Sequence, residues 1–211
     1  MRRSLSKPHP RVVAVDDGAF SRDDSTAPIA AVVVSVPQYV EAIRTGRVRV
    51  DGRDATRRTI ALVRATGPLD GLRALLVDGA VLGGFNVLDL DLLHRSLSLP
   101  VVAVTRRPPD LRRIRAALEK WFPRDAAERM RLLTAHRLFR VPTAGQPLLA
   151  AAVGCRRTDA ARLVVRTAVR GYWPEPLRLA HLVASAGRTP PTPADRTLKE
   201  GARRPEEGPV A

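Results

Sequence analysis

The stretch VVAVDDG at residues 12–18 decides how the rest of the chain is read. Its apolar, mostly β-branched run describes a strand buried on both faces, and the run stops abruptly at Asp16-Asp17-Gly18. A buried strand cannot keep an unpaired carboxylate, so Asp16 belongs at the strand's carboxyl end, where open α/β sheets bind ligands. The pattern recurs in ALLVDG at residues 74–79, where Asp78 closes a second apolar run. Two acids from two strand ends supply the oxygen ligands that a hard cation takes. Either Asp-Gly alone also fits an ordinary turn; their recurrence in a compatible order of elements is what points to a site.

Outward from these strands, residues 11–16, 29–36 and 39–50 read as three strands with short connections, an antiparallel meander. The third ends in Arg47-Val48-Arg49-Val50, which alternates with period two. From residue 54 the rhythm changes. A helix from the Asp54 cap to about 65 precedes a strand at 72–77, a helix at 86–97 and a strand at 101–104. A basic amphipathic helix covers 109–121 and helical sequence continues at 126–133. A strand at 147–153 and helices at 158–169 and 176–186 complete the pattern. This is an α/β chain whose order resembles the ribonuclease H-like architecture: a mixed sheet of five or six strands, antiparallel meander then parallel strands, flanked by helices. In that architecture catalytic acids lie on the first and fourth strands, where Asp16 and Asp78 stand.

The chain has 211 residues and is 45% hydrophobic, enough for one full core. A basic flexible arm is expected at 1–10, the folded domain at 11–187 and a disordered tail at 188–211, where prolines, glycines and charges dominate. No apolar run approaches the roughly 20 residues needed to span a bilayer. The charged N-terminus lacks a following apolar stretch, so a cytoplasmic setting without a membrane partner is expected. The single cysteine, Cys155, excludes an intrachain disulfide framework and a Cys-rich zinc site, and reads as an inert core residue. Net charge is +15, from 36 Lys+Arg, nearly all arginine, against 21 Asp+Glu. Arginine suits planar, bidentate phosphate contacts, so nucleic acid, DNA or RNA, is the expected partner. A GC-rich genome would raise arginine too, but need not raise net charge.

Other residues are candidates with two readings each. After Asp78 comes AVLGGFN, in which Gly83-Gly84 lets backbone approach a ligand and Asn86 can cap the next helix. Neither the P-loop nor the dinucleotide fingerprint is matched. Asp54 is either a helix N-cap or a third acidic ligand, with Asp51 as its neighbouring competitor. Arg106-Arg107, directly after the fifth strand, is either a phosphate clamp or a solvated turn. In WPEPLRLAH at 173–181, proline sits in the first helical turn and Glu175 can bind Arg178. His181 falls on the Leu177, Ala180, Ala184 stripe expected to face the core, as a satisfied core histidine or a site residue.

Together VAVDDG, LLVDGAVLGGFN, VGCRRTDAARLVV and WPEPLRLAH resemble an uncharacterised, largely archaeal protein family related to endonuclease V, over residues 11–185. The resemblance implies a ribonuclease H-like fold and Mg²⁺- or Mn²⁺-dependent phosphodiester hydrolysis near a deaminated purine. It implies catalytic and metal-site roles for Asp16, Asp78 and His181. Asp54 is the candidate for the acidic position between them, because the chain lacks the PYIPG…FRE segment that carries a glutamate in endonuclease V. Thr105-Arg106 stands where a lysine is expected. Arg106, Arg107, Gly83, Gly84 and Asn86 are the expected nucleic-acid contacts. Two other readings stay open: a nucleic-acid-binding module with a degenerate site, whose binding is metal-independent and falls steeply with salt, and a small-molecule enzyme built on the Gly83-Gly84 loop.

Overall fold

β1 spans Arg11–Asp17 in the computed structural model, which describes residues 10–186 other than 22 and 38. The arm expected at 1–10 lies outside the described residues except for Pro10, which is buried; the tail expected at 188–211 lies wholly outside them. β1 is central because its run is apolar on both faces. β2 (Thr26–Ser35) pairs with it antiparallel, and β3 (Tyr39–Arg49) pairs antiparallel with β2, completing the meander. After α1 (Ala55–Arg64), β4 (Leu72–Asp78) returns parallel to β1 on its other side. α2 (Leu90–Leu97) then leads to β5 (Val101–Thr105), parallel to β4.

The helices α3 (Leu111–Trp121) and α4 (Ala126–Thr134) follow, with Pro123 between them. β6 (Phe139–Val141) and β7 (Leu148–Val153) form a hairpin, and α5 (Arg157–Thr167) and α6 (Glu175–Ala186) are the last elements among the described residues. The sheet order is β3-β2-β1-β4-β5-β7-β6, a ribonuclease H-like mixed sheet flanked by helices. β6, three residues long, is too short to show a period and was not expected. β7 runs antiparallel to β5 rather than extending the parallel set, because a hairpin and not a helical crossover delivers it.

The central strands are buried on alternate sides. Val13, Val15, Leu75 and Val77 pack with Leu62, Leu90 and Leu93 of α1 and α2. Val12, Ala14, Ala74 and Leu76 pack with Leu163, Leu177 and Ala180 of α5 and α6. α3 and α4 bury a small cluster of their own around Leu118, Ala126 and Met130. α2 begins later than expected: Asp89, not Asn86, caps it, accepting from the Leu92 amide at 2.8 Å. The preceding residues fold into a tight loop in which Val81 pairs with Val87.

Candidate active site

Parallel pairing of Val15 with Val77 makes Asp16 and Asp78 the next side-by-side positions at the carboxyl ends of β1 and β4. Strand alternation continues the Val12, Ala14 and Ala74, Leu76 series through both acids, so their side chains project to the face covered by α6. α6 can lie close because residue 18 is glycine: a Cβ there would overlap the backbone of Ala184 and Ser185. That approach brings His181 to the strand ends. Its Nδ1 donates to the Asp17 carbonyl at 2.9 Å and stands 3.3 Å from Asp16 Oδ2. A carbonyl only accepts, so Nδ1 carries the proton and Nε2 is the nitrogen left for a ligand or water. Asp17 has the opposite parity, and its Oδ2 accepts from the Gly83 amide at 2.6 Å.

The electrostatics of the pair follow from burial. Asp16 is only 4% exposed. Burial first, then the charges of Asp78 and Asp17, pushes its carboxyl up to about 9. Burial raises Asp78 to about 6, with Arg106 opposing. Ionising both carboxyls places two like charges side by side in a desolvated setting, which a nearby cation relieves. Arg106 Nη1 lies 3.6 Å from Asp78 Oδ2, and its guanidinium stacks 3.5 Å over the Trp173 ring. Trp173 precedes a helix start braced by Glu175, which accepts from Arg178 Nε at 2.8 Å and Nη2 at 2.5 Å.

Among the described residues no three His, Cys, Asp or Glu side chains form a ready-made metal cage. The donor chemistry nevertheless fits Mg²⁺, which binds through one or two carboxylates and keeps several waters. Asp16 and Asp78 are two adjacent oxygen donors, both raised chiefly by burial, and a bound cation would favour their ionised forms.

Asp54 does not join them. It sits at the N-cap position of α1, and its carboxylate accepts from the Arg49 amide at 3.1 Å, Asn86 Nδ2 at 2.7 Å and Arg58 Nε at 3.3 Å. Burial alone would raise it, but these bonds outweigh that and lower it. Asn86 is buried; it accepts from the Ala55 amide at 2.8 Å and so completes the start of α1, not α2. The Gly83 amide is taken by Asp17, the Phe85 amide by Asp51 at 2.7 Å, and Gly84 gives Asp51 its space, since a Cβ there would overlap Oδ1. The glycine loop is therefore folded onto the protein's own acids. His181 also departs from expectation. Leu177, Ala180 and Ala184 face the core, but His181 is at the border of that stripe with its side chain 55% exposed. Arg106 faces the acids and Arg107 is exposed. Cys155 is partly buried, and burial pushes its thiol up to about 11, away from reactivity. Sequence reasoning gave Trp173 no role beside Arg106: 66 residues separate them, and only the rigid WPEP entry hinted at a fixed position.

Comparison with known proteins bears on the fold and the family. A UPF0215 protein of Thermococcus gammatolerans is 40% identical over 188 residues, spanning 87% of this chain and 94% of the relative. A protein of unknown function from Archaeoglobus fulgidus superposes with a TM-score of 0.75 at 29% identity, over 84% of this chain and 97% of the other. Endonuclease V of Ciona intestinalis, solved with a DNA containing an inosine, shares the fold with a TM-score of 0.57 at 14% identity, over 95% of this chain and 91% of its own. The sequence profile of one family, endonuclease dU, matches residues 8–187 and so takes in every residue of the site. The chain belongs to the endonuclease dU family.

Proposed function

We propose that this protein is a divalent-cation-dependent endonuclease that cuts DNA at deoxyuridine or a related deaminated base. The observation that carries the reading is the pair Asp16 and Asp78, two desolvated carboxylates at neighbouring strand ends with a histidine beside them. The choice of deoxyuridine takes its support from the family's name. The net charge of +15 suits a nucleic-acid partner.

Asp16 and Asp78 would hold Mg²⁺ or Mn²⁺, which when bound supplies Lewis-acid polarisation of the phosphate and a more acidic water. His181, fixed through Nδ1, presents Nε2 to orient the attacking water and take its proton. Arg106, held flat on Trp173, offers a cation beside Asp78 to brace a phosphate oxygen. The water oxygen joins phosphorus, one phosphorus–ester oxygen bond breaks, and the departing oxygen gains a proton. An apolar cavity of about 200 Å³, bordered by Gly79, Val81, Thr105, Pro109 and Ile114, opens past the ends of β4 and β5 on the sheet face opposite the acids, and has room for a flat base drawn out of its stack.

The test is a panel of end-labelled single- and double-stranded DNA and RNA, each unmodified or carrying one deoxyuridine (uridine in the RNA) or one hypoxanthine, with Mg²⁺ and with Mn²⁺. Deoxyuridine-containing DNA should be cut first and the unmodified strands spared. Salt-sensitive binding with no cutting under either metal would install the second reading, a binding module with a degenerate site; the displacement of Asp54 and the absence of a three-residue cage among the described residues favour that reading.

A further inference from the structure

Away from the acids, the corner between α3 and α4 presents a large aromatic ring to solvent on a basic surface. Trp121, the last residue of α3, is 66% exposed although the Lys120 ammonium lies over one face of its ring at 4.7 Å. A ring this exposed leaves an open aromatic face available for stacking. With Arg53, Phe122 and Arg124 it borders an open cleft of about 460 Å³. The acid in this cleft, Asp125, is already paired, with Arg129 Nη2 at 2.9 Å and Arg53 Nε at 3.5 Å. The segment from Arg106 to Arg124 carries seven Lys and Arg against two acids, and Arg112, Arg113 and Arg115 are exposed along α3.

The corner is tied to the glycine loop that follows Asp78. Buried Arg129 donates to the Phe85 carbonyl at 2.6 Å and stacks 4.4 Å over Phe122. Phe122 meets Phe85 edge-to-face at 5.9 Å. A strand held at the corner is thus held by the same packed unit that carries the loop beside the acids.

We infer that this corner is a platform for an unpaired stretch of nucleic acid, with one base stacked on Trp121 and its flanking phosphates on Arg53 and Arg124. An aromatic flanked by arginines suits an unstacked base, because a duplex keeps its base faces covered. An acidic peptide would match the charge but gain little from the ring. The inference rests on the nucleic-acid reading above.

The test measures fluorescence anisotropy of end-labelled oligo(dT) and of a duplex of equal length, with the full chain and no divalent cation. Trp121→Ala should weaken single-strand binding about tenfold or more, Trp121→Phe should retain most of it, and duplex binding should change less than about twofold. Arg53→Gln with Arg124→Gln should flatten the single-strand salt slope by about 1.4. Unchanged melting temperatures would confirm that the variants fold. Equal single-strand affinity in Trp121→Ala and wild type overturns the platform, as does equal weakening for duplex, or displacement by poly-glutamate as efficient as by oligo(dT). If wild type cuts and binds while Trp121→Ala is unaffected, only the platform falls; if wild type binds no nucleic acid, the wider reading falls with it.

Discussion

His181 on the last helix stands 3.3 Å from Asp16 on the first strand, and its Nδ1 proton goes to the carbonyl of Asp17. The first strand and the last described helix thereby meet at one carboxylate, and the imidazole is held in a single tautomer. His181→Ala should reduce cleavage by about 10²-fold, the low end for an acid–base residue. Because the side chain is half exposed, the melting temperature should move by no more than a few degrees. A kinetic comparison at saturating metal checks both.

Asp16 makes the native state pH-sensitive in a definite direction. Its folded value of about 9 exceeds the ordinary 3.8, so between those values the native state holds a proton that the unfolded chain has lost. Stability without metal therefore falls as pH rises through that window. Asp78 adds a smaller term of the same sign up to about 6. The rise in melting temperature caused by Mg²⁺ should be larger near pH 9 than near pH 6, and Asp16→Asn in chelator should melt several degrees above wild type at the higher pH. Scanning calorimetry reads both effects.

Asp54 separates a structural acid from a site acid. Asp54→Ala removes acceptors for the Arg49 amide, Asn86 and Arg58, leaving buried Asn86 short of a partner. It should cost about 1–3 kcal/mol in chemical denaturation, while Mn²⁺ affinity by titration calorimetry stays within twofold of wild type. Asp16→Ala should reverse that pattern.

Gly18 sets the distance between α6 and the strand ends. Gly18→Ala forces its methyl against the Ala184 backbone, which no rotamer change can relieve. Overpacking of this kind costs about 1–3 kcal/mol. It should also move His181 away from Asp16, so cleavage should fall by more than the loss of folded protein explains. Activity measured per folded molecule, well below the melting temperature, checks this.

The strands β1 and β4 were legible because a fully buried apolar run that stops at an acid has few alternatives, and their parallel pairing then places Asp16 beside Asp78. α6 was legible from its proline-started first turn. What was not legible depends on loops folding back over long distances. Asn86 reaches Ala55 across 31 residues and Asp51 bonds Phe85 across 34. Read locally, Asn86 looks like a cap for the helix that follows it and Gly83-Gly84 like a ligand cradle, yet both complete the start of α1 and the turn before it. The outward placement of the His181 side chain is not fixed by the stripe, since a residue next to a buried alanine on a narrow stripe can face either the core or the sheet edge.

The most direct measurement is metal-dependent cleavage of a single-stranded DNA carrying one deoxyuridine, by wild type and by Asp78→Asn prepared identically. Wild type should cut in Mg²⁺ or Mn²⁺ and stop on chelation, while Asp78→Asn, folded and still binding the strand, should lose at least about 10²-fold in rate. Cleavage by Asp78→Asn at the wild-type rate, or no cleavage by wild type under either metal, would contradict a nuclease centred on Asp16 and Asp78.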